Sequence, residues 1–172
     1  MNETELKYFK NGWQPDYSKF KYSGWALLTQ IRPNDVILDI GCGYNLFKER
    51  LGEMIYGIDP ANNKADQIIA WEDYVPHKKF NVFFILGSIN FGDETYIESQ
   101  IAKLSRETKT GDRIYWRQNP GLGDHPWKGV EQITFYPWSF KKNIEWCKKY
   151  NFNPIVLQKD TGSRIYAEWT RN

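Results

Sequence analysis

Asp39, Gly41, Gly43 and Asn45 fall at alternate positions of one short stretch, Asp-Ile-Gly-Cys-Gly-Tyr-Asn, directly after the apolar run Val36-Ile37-Leu38. Glycines in such a turn permit a positive φ and remove the Cβ that would hold a ligand away from the backbone. Asp39, just before the turn, can accept hydrogen bonds from an ammonium group. A helix opening after the turn would offer its first N–H groups to a carboxylate or phosphate. About twenty residues on, Asp59 closes a second apolar run. At that spacing an acid can take the hydroxyls of a ribose. An amino acid joined to an adenosine satisfies every part of this arrangement. A tight turn with no ligand would leave both acids at ligand-facing positions by accident. A nicotinamide dinucleotide fits worse, because Leu46 occupies the third glycine position of Gly-x-Gly-x-x-Gly.

The elements that must hold these groups follow from apolar runs and breakers. Strands are predicted over 36–40, 54–58, 67–70, 82–86, 114–117, 155–157 and 165–169. Helices are predicted over 23–31, 46–51, 96–107 and, capped by Ser139, up to Tyr150. The alternation implies α/β: a seven-stranded, mostly parallel sheet with helices on both faces. The turn Asp160-Thr161-Gly162-Ser163 is too short for a parallel crossover, so the last strand must be antiparallel, at the end of the sheet. Residues 1–34 read as an N-terminal cap, with many rings between Tyr8 and Tyr22 to wrap a domain over 35–172.

With 172 residues, one domain is expected. The net charge of +2 carries no footprint for nucleic acid, and no apolar run reaches membrane-spanning length. The start Met1-Asn2-Glu3-Thr4-Glu5 has no signal-peptide pattern, so a cytoplasmic protein is expected. Neither Cys42 nor Cys147 belongs to a Cys-x-x-Cys pair, which argues for a reduced chain without a zinc site. Aromatic residues make up 17%, enough for a core of large rings and for some to line a cleft.

Val-Ile-Leu-Asp-Ile-Gly-Cys-Gly resembles motif I of the class I S-adenosylmethionine (SAM)-dependent methyltransferases, and Ile-Tyr-Gly-Ile-Asp resembles the acidic end of their second strand. The resemblance spans about residues 36–169. The run from Leu86 to Gly92, with Arg117-Gln118-Asn119-Pro120-Gly121 and Tyr136-Pro137-Trp138, is similar to small phage-encoded methyltransferases of unassigned substrate. That likeness implies a single Rossmann-like domain with SAM as cofactor, in the host cytoplasm if the chain is viral. It implies that Asp39 holds the amino group of SAM, Gly41 and Gly43 pass under its methionine part, and Asp59 holds the ribose. Leu86 and Gly87 would flank the sulfonium. The chain departs from the pattern at Asn45, where a third glycine is usual; Asn tolerates the left-handed conformation best after Gly. On that reading glycine is tolerated at position 45 and valine is not. It departs again at Ala70-Trp71-Glu72, where Trp71 would cover the adenine and either Glu72 or Asp73 would reach its edge.

Methyl transfer from a sulfonium needs alignment more than acid–base chemistry. Acceptor-side candidates follow the fourth and fifth strands: Asn90, Arg117, Asn119 and His125. Each has a plainer explanation: Asn90 bonding loop backbone, Arg117 pairing with an acid, Asn119 capping a turn, His125 sitting in a surface loop. The Asn/Asp-Pro-Pro-aromatic motif of exocyclic-amine DNA methyltransferases is missing from Ser88-Ile89-Asn90-Phe91, and no Pro-Cys nucleophile occurs. The expected function is methyl transfer from SAM to an unidentified acceptor, a small molecule being one candidate. The rival expectations are a SAM-binding protein without transferase activity and a modifier of nucleic acid or protein. Lys141, Lys142, Lys148 and Lys149 read as a solvated helix face.

Overall fold

The structure is a computed structural model that describes residues 3–11, 15–121 and 133–172. Six strands form one sheet: β1 (Ile37–Ile40), β2 (Ile55–Ile58), β3 (Val82–Ile85), β4 (Arg113–Gln118), β5 (Phe152–Lys159) and β6 (Ile165–Arg171). Their order is β2-β1-β3-β4-β6-β5. The first four pair in parallel, and β6 runs antiparallel to both β4 and β5.

Two expectations are corrected. Among the described residues the sheet has six strands, not seven: the stretch 67–70 makes only an isolated parallel bridge, Ile58 to Gln67. It would lie outside β2, where Ile68 stays 62% exposed for want of a face to cover, and the chain turns away at Ala70, whose carbonyl accepts from the amide of Tyr74. The antiparallel strand β6 is also internal, with β5 at the edge. Pro154, which has no N–H to donate, sits on that edge strand beside a register shift between Pro154 and Val156.

Successive strand residues point to opposite faces and fill two cores. Leu38, Ile40, Phe83, Ile85, Ile114, Trp116, Ala167 and Trp169 pack on one side beneath α3 (Glu94–Glu107) and α4 (Phe140–Tyr150). Ile37, Val82, Phe84, Tyr115 and Tyr166 pack on the other, covered by Tyr17, Leu27 and Phe47. That second cover is slighter than expected: a 3₁₀ turn (Trp25–Gln30) and α2, only Lys48–Leu51. An additional helix, α1 (Glu3–Asn11), brings Phe9 edge-on to Phe91, with ring centroids 5.0 Å apart.

Both long helices are capped as their sequences dictate. The Asp93 side chain accepts from the amide of Tyr96 at 2.8 Å, and that of Ser139 from the amide of Lys142 at 3.1 Å. Trp116, Trp138 and Trp169 are wholly buried and in mutual contact, so much of the aromatic content is core.

Candidate functional site

The carboxyl ends of the four parallel strands meet one edge of the sheet, where α/β folds bind ligands. Because β6 is antiparallel, its start lies on that same edge. A cleft opens there. Its wall follows the strand order: Asp59 after β2, Gly41 and Gly43 after β1, Leu86 to Phe91 after β3, Arg117 and Asn119 from β4, and Arg164 before β6. Ile69, Trp71 and Glu72 close the β2 end, while Phe9 and Phe20 from the N-terminal segment also line it.

The glycine turn is left-handed at three alternate positions, with φ of 72° at Gly41, 54° at Gly43 and 54° at Asn45. A Cβ on Gly41 would overlap the Ser88 side chain, whose hydroxyl donates to the carbonyl of Ile40. The third and first strands can therefore converge only over a glycine. The amides of the turn differ from expectation. Those of Gly41 and Cys42 donate to the carbonyl of Ile58 at 2.8 and 3.0 Å, that of Asn45 to Cys42, and that of Gly43 to Asp59 Oδ2 at 2.9 Å. The helix that follows is only four residues long and starts at Lys48, so it offers no helix N-terminus to an anion. The amides of Gly41, Cys42, Gly43 and Asn45 are thus engaged within the fold.

Asp59 is braced by backbone. Oδ2 accepts from Gly43, and Oδ1 accepts from Ala61 at 2.8 Å and Asn62 at 2.9 Å. A carboxylate has about four acceptor positions, so roughly one remains for a ligand hydroxyl. Asp39 is buried and does not line the cleft; its Oδ2 has no hydrogen-bond partner among the described residues. Burial, and then the neighbouring Asp59 charge, push its pKa up to about 8. Asn45 also stands off the cleft wall. Its Nδ2 donates to the carbonyl of Lys64 at 3.1 Å and to Asp66 Oδ2 at 3.2 Å, and that same oxygen accepts from the amide of Gly57 at 2.8 Å. Position 45 is thus a side-chain bracket as well as a left-handed turn.

At the β2 end Trp71 is buried, its Nε1 donating to the carbonyl of Gln100 at 3.3 Å. Glu72 is exposed at the rim and accepts from the Tyr96 hydroxyl at 2.7 Å. Asp73 does not line the cleft. On the acceptor side, Asn90 Oδ1 accepts from the amide of Asn119 at 2.9 Å and its Nδ2 donates to the carbonyl of Arg117 at 3.3 Å. Asn119 Oδ1 accepts from Gly121 at 3.0 Å. The Asn90 side chain therefore locks the end of β3 to β4, while that of Asn119 braces its own turn; both residues line the cleft. Arg117 Nε lies 3.4 Å from Asp160 Oδ2, and its guanidinium sits 3.9 Å from the centre of the Phe20 ring. His125 lies outside the described residues.

Sequence reasoning missed Arg164, Phe9, Phe20 and Phe91. The signal for Arg164 was available: it precedes a strand expected to be antiparallel, which places it at the ligand edge.

The fold is that of the class I SAM-dependent methyltransferases. An S-adenosylmethionine-dependent methyltransferase from Clostridium acetobutylicum is 13% identical, with a TM-score of 0.67 over 92% of this chain and 93% of that one. Magnesium protoporphyrin IX methyltransferase from Synechocystis, solved with bound SAM, gives 0.69 at 11% identity over 100% and 98%. The 1,6-didemethyltoxoflavin-N1-methyltransferase of Burkholderia thailandensis, solved with its substrate and S-adenosylhomocysteine (SAH), gives 0.65 at 12% over 86% and 74%. No protein-family model and no curated protein matches the sequence, so the likeness is one of fold.

Proposed function

We propose that the protein is a SAM-dependent methyltransferase with a small-molecule acceptor. The observation that carries this reading is the continuous cleft over β2, β1, β3 and β4, with Asp59 at one end, the left-handed turn of Gly41 and Gly43 beside it, and Leu86 and Gly87 further along. An adenosine joined to an amino acid fits these residues. Asp59 would hold a ribose hydroxyl, Trp71 and Glu72 the adenine, and Leu86 and Gly87 the sulfonium region. Asp39, unpartnered and close to the turn, would answer the ammonium group, and Asn45 would keep the turn in shape.

When bound, SAM supplies an electrophilic methyl group on a sulfonium. The chain's own part is to orient and to exclude water. Asn90 and Asn119, tied to each other, would fix the acceptor face, and residues 1–34 would act as a cap through Phe9 and Phe20. Among the described residues the cleft wall carries no histidine, which places the weight on alignment. A cap with ring side chains in the cleft favours a small acceptor over a polymer. Among the described residues no helix is long and apolar enough to cross a membrane. We place the protein in the cytoplasm, that of the host if the resemblance to phage-encoded enzymes holds.

The test is transfer of label from methyl-labelled SAM to small molecules of a cell extract, with SAH formation followed in parallel. Labelled product with stoichiometric SAH supports the reading. SAH binding without any turnover across extracts would favour a binding protein instead.

A further inference from the structure

Helix α3 buries one face, made by Ile97, Gln100, Ile101 and Leu104. Three of these are apolar; the fourth, Gln100, is only 5% exposed. A helix that joins two parallel strands runs back along the sheet, so α3 starts at the cleft edge. Helical side chains lean toward the helix N-terminus, which aims Gln100 at that edge, and Gln100 lines the cleft one turn beyond Tyr96. Its main-chain carbonyl accepts from Trp71 Nε1 at 3.3 Å, but its side-chain carboxamide has no hydrogen-bond partner among the described residues. The other buried carboxamides differ. Asn90 and Asn143 use both ends of theirs within the fold. Buried polar groups are almost always paired, so a lone carboxamide facing a cleft points to a partner from outside the chain.

The surroundings narrow the chemistry of that partner. Ile69, Ala70 and the Trp71 ring, which its indole N–H fixes to α3, give this end of the cleft apolar walls. Such walls suit the faces of a flat base, and the carboxamide suits its polar edge. We propose that Gln100 reads the adenine of the cofactor, its Oε1 accepting from the exocyclic amine and its Nε2 donating to the adjacent ring nitrogen. A carboxamide carries an acceptor beside a donor, and adenine presents a donor beside an acceptor, so the two match in a bidentate pair. The proposal rests on the methyltransferase reading and deepens it. Trp71 has already given its N–H to Gln100, and the Glu72 carboxylate, exposed at the rim, can accept from the amine but cannot donate to a ring nitrogen.

The experiment uses the full chain, with Gln100→Met and Gln100→Leu as variants of different shape that both lack the carboxamide. Calorimetry compares SAH with its 6-deamino analogue, which carries purine in place of adenine, and ligand-free melting is followed in parallel. The wild type is expected to bind SAH about tenfold more tightly than the analogue. Both variants should bind the two ligands alike, with SAH weakened about tenfold or more, and should melt at least as high as the wild type, since no partner in the fold is lost. Equal binding of SAH and the analogue by the wild type overturns the proposal and leaves the methyltransferase reading standing. A preference for SAH that survives in both variants assigns the amine to Glu72 and also overturns it. So do variants that melt well below the wild type, because the carboxamide would then serve the fold. A folded wild-type chain that binds neither ligand contradicts the methyltransferase reading itself, and the proposal falls with it.

Discussion

Asp39 is the residue whose behaviour reports the site most sharply. An aspartate in an unfolded chain loses its proton near about pH 3.9. In the fold that pKa is pushed up to about 8, by burial and then by Asp59. Between these values the folded state binds more protons than the unfolded state, so the ligand-free protein loses stability as pH rises through the window. Asp39→Asn removes that dependence. It is predicted to melt higher than the wild type at pH 8, by about 1 kcal/mol or more, roughly 2–4 °C for a domain of this size. The gap should close towards pH 4, and an equal gap at every pH measured by circular dichroism would contradict the assignment. Asn45 and Asp59 make a different point. Glycine at position 45 keeps the left-handed turn but loses two hydrogen bonds, one to a carboxylate, so Asn45→Gly should lower stability by about 1–3 kcal/mol in denaturant titrations. Valine should cost more, because a β-branched side chain is strained at φ 54°. Asp59→Ala removes the acceptor for three backbone amides, so its melting point and its SAH affinity should fall together.

The N-terminal segment and the β5–β6 turn meet as elements through one buried acid, Asp160. Asp160 takes the amide of Tyr22, the hydroxyl of Ser23 and the Arg117 guanidinium, and Thr161 Oγ1 accepts from the amide of Lys21 at 3.0 Å. Asp160→Ala would leave Arg117 beside Arg164 without its acid, a loss of about 3–5 kcal/mol for a broken buried pair. Hydrogen exchange should then quicken at Tyr22 and Ser23 before the rest of the chain; unchanged exchange there would show that the N-terminal segment is held by its apolar contacts alone. Elements of this kind were partly legible in the sequence. Four strands ending in apolar runs, the Ser139 cap and the antiparallel hairpin could be read because burial on both faces demands continuous apolar residues and a short turn forbids a crossover. The stretch 67–70 misled because its apolar residues match a strand although no neighbour lies outside it to cover Ile68. Helix α1 was missed because only Leu6, Tyr8 and Phe9 of its nine residues are apolar, too few to mark a buried face. The glycine turn and Asp59 were legible because backbone conformation dictates residue type there. Arg164 carries no motif and was passed over, although the antiparallel direction of β6, readable from the short turn before it, places it at that edge.

At the scale of the whole molecule, a sheet of ordinary topology is turned into a binding device by what lies along one edge. Acids at the β2 end, the glycine turn, a ring-lined middle and two arginines at the β4–β6 end lie along one cleft. The second face of the sheet carries little regular helix, and the N-terminal segment supplies its cover as well as part of the cleft wall. Changes in the N-terminal segment should therefore alter SAH binding and stability together. The claim on which the rest depends is that this edge receives an adenosine joined to an amino acid. Titration calorimetry of SAH, with NAD as the control, into the folded full-length chain tests it most directly. One site for SAH and none for NAD is the expected result, with a thermal shift of roughly 2.7 kcal/mol equivalent at about 100 times the dissociation constant. A folded protein that gives no heat with SAH, or that binds NAD in its place, would contradict the account.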